Sequence, residues 1–203
     1  MSKRIYISAD YAPDSGDRDV VETLNGWGTD NVHKVDFVDM AKVVSGSVVN
    51  SMDECYPCDL KAEFNRQINA SSVVICVIGD KTATRTAGSL CSRFGKNYSF
   101  GCTCTPYKQS RNGIRNCKVD MTYPAMGEIG NINNYSYLRH EFEQAKIKNK
   151  TIIVVYNSLI REPKWLPHYM KEYESRAEPF WKKDDYGRKV GNYTRIKEAL
   201  GYV

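Results

Sequence analysis

The sequence has 203 residues, of which 41% are hydrophobic and 26% are charged, and its formal net charge at pH 7 is +5. This length is enough for one well-buried core but not for two comfortable domains, so we expect a single domain over residues 1–203. No segment approaches the roughly 20 apolar residues that a bilayer span needs, and the first residues lack the long apolar run of a secretion signal. We therefore expect no membrane contact and a cytoplasmic location.

Three apolar runs rich in β-branched residues predict strands at residues 4–9, 72–78 and 151–156. They lack the polar alternation of a half-exposed strand, which is typical of a parallel sheet covered on both faces. The run at 32–38 alternates more and predicts an edge strand.

Between the predicted strands lie segments whose apolar residues recur at helical spacing. The apolar residues that recur at this spacing form three sets: Val20, Val21 and Leu24; Leu60, Phe64 and Ile68; and Leu138, Phe142 and Ala145. The third helix, residues 137–148, leads directly into the strand at 151–156, and a closing helix at 193–200 is expected to pack across the sheet edge. The alternation predicts an α/β fold, in which a parallel sheet of four to five strands carries helices on both faces.

A long insertion, at about 83–135, is rich in Gly, Asn, Ser, Tyr and Cys and exceeds an ordinary connection. Between Lys81 and Val119 there are eight Lys or Arg residues and no Asp or Glu. Such a segment is usually a lid, a binding surface or partly disordered. Its basic stretch could bind a diphosphate, but a solvated loop is our preferred interpretation. Its basic and aromatic residues also suit single-stranded nucleic acid, which we keep as an alternative although we expect no such partner.

The seven cysteines are an odd number, so a disulfide framework is not expected. Cys76 falls inside an apolar strand, where it can act as a small buried side chain. The others lie in loop-like sequence: Cys55, Cys58, Cys91, Cys102, Cys104 and Cys117. One C-x-x-C and one C-x-C are weaker than two paired zinc knuckles, so we predict no metal and keep zinc as the minor alternative.

In an open parallel sheet, ligands bind outside the carboxyl ends of the strands. The residues that end or follow the predicted strands are therefore the candidate substrate-binding residues: Ser8, Asp10, Tyr11, Asp39, Lys81 and Thr82. Ser and Asp also form turns and cap helices routinely, so Ser8 and Asp10 suit either role. Neither G-x-G-x-x-G after the first strand nor a P-loop motif occurs, so a Rossmann hydride enzyme and a P-loop NTPase are not supported.

Four blocks of the sequence resemble one family. They are KRIYISADY at residues 3–11 with the acidic stretch at 14–19, INASSVVICVIGDKT at 68–82, YLRHEF at 137–142 and GRKVGNY at 187–193. These blocks resemble the TIR-like domains of the bacterial Thoeris anti-phage system. The resemblance covers most of the chain outside the insertion, and it implies a flavodoxin-like, TIR-like fold.

The resemblance also implies an activity. Such enzymes cleave NAD at the nicotinamide–ribose bond and make a cyclic ADP-ribose-type signal for an effector protein, with NAD as substrate and no cofactor. By motif position the catalytic residue is Glu141, and His140 takes a tryptophan position of the family, where we expect it to pack or stack in the substrate site. On a helical wheel Glu141 falls about 60° from Leu138, so we expect a partly desolvated carboxylate that still reaches a cleft.

One carboxylate is enough for this reaction, because nicotinamide leaves as a neutral base and no proton has to be donated to it. An anionic Glu141 can stabilise the oxocarbenium-like ribose. Hydrolysis and cyclisation both stay open, since the outcome depends on how dry the closed site is. The helical pattern alone favours a surface glutamate that pairs with Lys or Arg, and the resemblance to the family reverses that preference. A non-enzymatic TIR-type module that self-associates is the other alternative.

Overall fold

The computed structural model describes residues 3–10, 15–28, 36–39, 57–85 and 136–201, and for residues 36–39 and 57–62 it describes the backbone alone. Within these ranges the fold is α/β. Five strands form one sheet: β1 (Arg4–Ser8), β2 (Asp36–Asp39), β3 (Val73–Ile78), β4 (Thr151–Tyr156) and β5 (Glu178–Pro179). Their order is β2-β1-β3-β4-β5 and every pairing is parallel. This is the strand order of flavodoxin-like folds, in which the order reverses between β1 and β3.

The predicted strands are confirmed where the structure describes them. β1, β3 and β4 lie within one residue of their predicted bounds. β2 lies at the edge of the sheet, as its alternating sequence predicts, although residues 32–35 of that prediction fall outside the described ranges. All six side chains of β3 are buried, because helices cover both of its faces.

Helices cover both faces of the sheet, as predicted. Alternate residues of β1 point to opposite faces, so Ile5 and Ile7 join one hydrophobic cluster and Tyr6 joins the other. The first cluster includes side chains of α1 (Asp17–Gly28) and α4 (Tyr193–Ala199), and the second includes side chains of α2 (Pro57–Ala70) and α3 (Tyr137–Ile147). Each fully buried aliphatic or aromatic side chain in these clusters contributes about 1.5–3 kcal/mol to stability.

The C-terminal part differs from the prediction. The closing helix α4 does not cross the sheet edge but packs on the α1 face, because Ile196 and Leu200, four residues apart, join the hydrophobic cluster of that face. The sequence analysis also misses several short elements: β5, two 3₁₀ helices (Pro163–Trp165 and His168–Tyr173), and the antiparallel hairpin of β6 (Trp181–Lys183) and β7 (Lys189–Gly191). Among the described residues, no helix is long and apolar enough to cross a membrane.

Residues 86–135 lie outside the described ranges, so the predicted insertion and its proposed roles do too. The same holds for the side chains of six cysteines: Cys55, Cys58, Cys91, Cys102, Cys104 and Cys117. Cys76 is buried with a free thiol, as its place in an apolar strand predicts. The side chains that are described include no cluster of three or more His, Cys, Asp or Glu residues able to hold a metal ion.

Candidate functional site

Helix α3 carries Glu141 about one turn in from its N-terminus. Ser136 caps this helix, since its side chain accepts a hydrogen bond from the backbone N–H of Arg139 over 3.1 Å. Leu138, Phe142 and Ala145 bury the predicted apolar stripe against the sheet. The cap and the stripe fix the rotation of the helix, and that rotation turns Glu141 towards β1.

Two hydroxyl groups of β1 hold the Glu141 carboxyl. The Tyr6 hydroxyl donates a hydrogen bond to Oε1 over 2.7 Å, and the Ser8 hydroxyl donates one to Oε2. Tyr6 and Ser8 lie two residues apart on one strand, so both side chains point to the face that α3 covers. Both carboxyl oxygens are therefore bonded to the first strand of the sheet, at the end where ligands bind in such folds.

The Glu141 site is dry. The residue is only 4% exposed, and this burial raises the pKa of its carboxyl to about 7, while the hydrogen bonds from Ser8 and Tyr6 act in the lowering direction. The neutral and the charged form are thus both populated near pH 7. Among ordinary glutamates such a balance is uncommon, and it is typical of groups that hold or release a proton.

Cys76 lies beside this carboxyl. It pairs with Ser8 in the register between β1 and β3, and it belongs to the hydrophobic cluster on the α3 face. Burial, and then the negative charge of Glu141, raise the pKa of the Cys76 thiol well above its usual range. A thiol that stays protonated is a poor nucleophile, so Cys76 acts here as a small apolar side chain.

Glu141 is more deeply buried than predicted. The helical wheel places it at the border of the buried stripe, whereas the structure buries it and gives both of its carboxyl oxygens a hydroxyl partner. The alternative of a surface glutamate paired with Lys or Arg is therefore wrong. Access of this carboxyl to a cleft stays a prediction.

His140 lies between two helices. It is 9% exposed, and its Nε2 atom is 3.0 Å from Oδ1 of Asn65 in α2. The contact agrees with the expected packing role, and a part in substrate binding stays a prediction.

A second polar cluster lies at the same edge of the sheet, around Asp17 at the start of α1. Its Oδ2 accepts the backbone N–H of Asp10 over 3.0 Å, and its Oδ1 accepts the side-chain amide of Asn157 over 3.2 Å. Asp17 is fully buried, and this burial raises the pKa of its carboxyl to about 7. The two hydrogen bonds act to lower the pKa, and the negative charges of Asp10 and Asp80 act to raise it.

Asp10 and Arg85 form an ion pair in this cluster, with 2.6 Å between Arg85 Nε and Asp10 Oδ2. The Asp10 side chain is almost buried, and that of Arg85 is one-third exposed. The predicted binding carboxylate thus already has a cationic partner, which is supplied by the last residue before the undescribed segment.

Of the remaining predicted residues, Thr82 and Lys81 lie in the turn after β3, at the expected edge, but differ in what they contact. The buried Thr82 hydroxyl accepts the backbone N–H of Gly79 over 2.8 Å, so it stabilises the turn after β3. Lys81 is half-buried in that turn, and its carbonyl accepts the backbone N–H of Arg85. Asp39 ends β2 opposite Ile7 in the register, with its side chain outside the description, and Tyr11 lies outside the described ranges.

The sequence analysis misses four residues of these clusters: Tyr6, Asp17, Arg85 and Asn157. Tyr6 carries a usable signal, because it is two residues from Ser8 and must share its face of the strand. Asp17 looks like an ordinary acidic residue of a first helical turn. Asn157 follows β4 without any local motif, and only the folded chain brings it to Asp17.

The chain matches no known family profile and no curated protein sequence. The geometry of the Glu141 site, together with the sequence blocks described above, is the basis for a functional proposal.

Proposed function

We propose that this chain is a TIR-like enzyme that cleaves NAD at the nicotinamide–ribose bond, with Glu141 as its catalytic residue. The product is a cyclic ADP-ribose-type signal, which an effector protein receives in cytoplasmic anti-phage defence. One observation carries the proposal: the buried Glu141 carboxyl is held by the two β1 hydroxyls at the ligand-binding end of a sheet with flavodoxin-like strand order.

The chemistry requires a negative charge near the ribose when the bond to nicotinamide breaks. Nicotinamide departs as a neutral base, so the transition state carries its positive charge on the sugar and needs no proton donor. A carboxylate in a dry site interacts with that charge far more strongly than one in water. Burial of Glu141 supplies the dry surroundings, and the Tyr6 and Ser8 hydroxyls keep the carboxylate oriented.

For NAD to reach Glu141, part of the protein has to move. Since Glu141 is almost fully covered, the packing over the first turn of α3 has to open before a ribose can reach the carboxylate. Neither hydrolysis nor cyclisation is favoured by the described residues.

The direct experiment incubates the purified protein with NAD and follows nicotinamide release. The informative variant is Glu141→Gln, because a Gln amide can still bond with hydroxyl partners, which accept as well as donate. We expect it to lower the rate at least about 100-fold, as loss of one electrostatic contact to a transition state does elsewhere. The matched control is Glu143→Gln, a half-buried glutamate of the same helix, which should keep the wild-type rate.

Two results would overturn the proposal. An undiminished rate in Glu141→Gln would remove Glu141 from catalysis. A wild-type protein that neither releases nicotinamide nor binds NAD in calorimetry would remove the NAD-cleaving function.

The second candidate is a non-enzymatic TIR-type module that self-associates. It is favoured by one observation, that both Glu141 oxygens already have partners and the carboxyl thus links α3 to β1 like any structural group. Sedimentation over a range of concentrations, with and without NAD, separates the candidates. Assembly without turnover supports the module, and turnover by a protein that stays monomeric excludes it. Nucleic-acid binding would depend on the basic insertion, which lies almost wholly outside the described residues.

A further inference from the structure

Two of the buried carboxyl groups in the described part of the chain, those of Asp17 and Glu141, have different kinds of partner. Asp17 faces the backbone N–H of Asp10 and the side-chain NH2 group of Asn157, and both of these groups can only donate hydrogen bonds to it. Glu141 faces two hydroxyls, which can donate to a carboxylate and can accept from a neutral acid. The surroundings of Glu141 therefore accommodate both of its protonation states but donate more hydrogen bonds to the charged one, whereas those of Asp17 suit the carboxylate alone.

The same two hydroxyls also restrict the orientation of the Glu141 carboxyl. One strand presents them two residues apart, and each bonds to a different oxygen of the carboxyl. A carboxyl held at both oxygens cannot rotate about its terminal bond without losing a hydrogen bond. Tyr6 is fully buried, and the sheet pairing on both sides of β1 fixes its backbone.

We propose that Tyr6 and Ser8 are positioning residues of the Glu141 site, whose hydroxyls fix the carboxyl in one orientation and stabilise its charged form. The expected effect on the rate of NAD cleavage rests on the proposed function, whereas the effect on the ionisation of Glu141 does not. The two residues act through Glu141 and need not touch the substrate.

The test uses Tyr6→Phe and Ser8→Ala, each of which removes one hydroxyl and adds no bulk. Each variant should make Glu141 harder to ionise, because it loses a donor to the carboxylate. Loss of a hydrogen bond to a charged group moves the midpoint of its titration by about one pH unit or more. The pH at which nicotinamide release reaches half its maximum should therefore rise by about one unit in each variant. The rate at pH 7 should fall about five-fold and should recover at pH 9, a recovery that general damage to the fold would not give.

A second measurement does not need catalysis. Titration of the Glu141 side-chain carboxyl carbon by NMR, with the signal assigned by its absence in Glu141→Gln, reads the protonation of this group directly. We expect the midpoint to move upwards in both variants.

Two matched controls are available on the same face of the sheet or beside it. Tyr156 is a fully buried tyrosine of β4 whose hydroxyl has no hydrogen-bond partner among the described residues, and Tyr156→Phe should leave the midpoint unchanged. Ser71 is a buried serine whose hydroxyl donates to the Gln67 carbonyl over 2.9 Å, and Ser71→Ala should also leave it unchanged.

The outcomes separate this inference from the proposed function. If neither Tyr6→Phe nor Ser8→Ala moves the Glu141 midpoint, or if the controls move it as much, the positioning role is wrong. If the midpoint moves as expected but no protein in the series binds or cleaves NAD, the positioning role stands and the NAD-cleaving function fails.

Discussion

Asn157 and Asp17 are 140 positions apart in the sequence, yet the side-chain amide of Asn157 donates a hydrogen bond to Asp17 Oδ1 over 3.2 Å. Asn157 also accepts a hydrogen bond from the indole N–H of Trp181 over 2.9 Å. The start of α1, the end of β4 and the hairpin are thus connected by one partly buried chain of hydrogen bonds.

We predict that exchanging the residues at positions 17 and 157 restores the hydrogen bonds that either single change breaks. In Asp17→Asn an amide group faces the Asn157 amide, and in Asn157→Asp two carboxylates face each other. In the double variant, the amide at 17 donates to the carboxylate at 157, whose other oxygen still accepts from Trp181. Each single change should cost about 1–3 kcal/mol in the free energy of unfolding at pH 8.

Urea unfolding of the wild type, the two single variants and the double variant gives the interaction free energy between positions 17 and 157. The double variant should be more stable than the sum of the single costs by at least about 1 kcal/mol. Purely additive costs would show that the two side chains do not interact in solution.

We predict that Gly79→Ala destabilises the protein because the turn after β3 has no room for a side chain. An added Cβ would lie 2.9 Å from Asp17 Oδ1 and 3.4 Å from the carbonyl of Ser15. The buried carboxylate cannot move without losing its hydrogen bonds, so we expect a cost of about 1–3 kcal/mol in urea unfolding.

The control for this prediction is Gly26→Ala. A Cβ there meets nothing within 4 Å, and the position lies inside α1, where Ala is the better helix former by about 1 kcal/mol. Equal destabilisation by both substitutions would contradict a steric effect specific to Gly79.

The parts of the fold that the sequence predicts are those in which the pattern of apolar residues reflects which side chains are buried. Strand β3 is buried along its whole length, β1 after its first residue and β4 over its second half, so all three appear as largely apolar runs. The stripe of α3 likewise gives the approximate rotation of Glu141. In contrast, β5 has two residues and β6 and β7 have three each, too few to show a period, and their pairing depends on the folded core.

In the candidate site, too, some features can be predicted from the sequence and others cannot. Ser8 and Glu141 can be named from the sequence, because a strand end and a helix motif mark them. Their hydrogen bond joins residues 133 positions apart and requires the helix to cross β1, which no local pattern encodes. The depth of Glu141 is missed for the same reason, since the wheel describes one helix and the burial arises from the sheet beneath it.

We predict that Glu141 makes the protein less stable as the pH rises towards 8, and that Glu141→Gln removes this effect. The carboxyl ionises near pH 4.5 in the unfolded chain and near pH 7 in the folded one, so between these values the folded state binds more protons. The stability that this group contributes is therefore complete below about pH 4.5 and is lost as the pH rises through about 7. Over the window from pH 5.5 to 8.5 the free energy of unfolding should fall by about 2 kcal/mol more in the wild type than in Glu141→Gln.

Urea unfolding at the two pH values measures this difference. Asp17 has the same direction of shift, but it is present in both proteins and cancels in the comparison. Glu143→Gln, on the same helix, should behave as the wild type. If Glu141→Gln and the wild type lost equal stability over this window, the Glu141 carboxyl would ionise in the folded protein near its unfolded pKa. Burial would then not dominate the pKa of this carboxyl, and the catalytic proposal would lose the shielded surroundings on which its electrostatic argument depends.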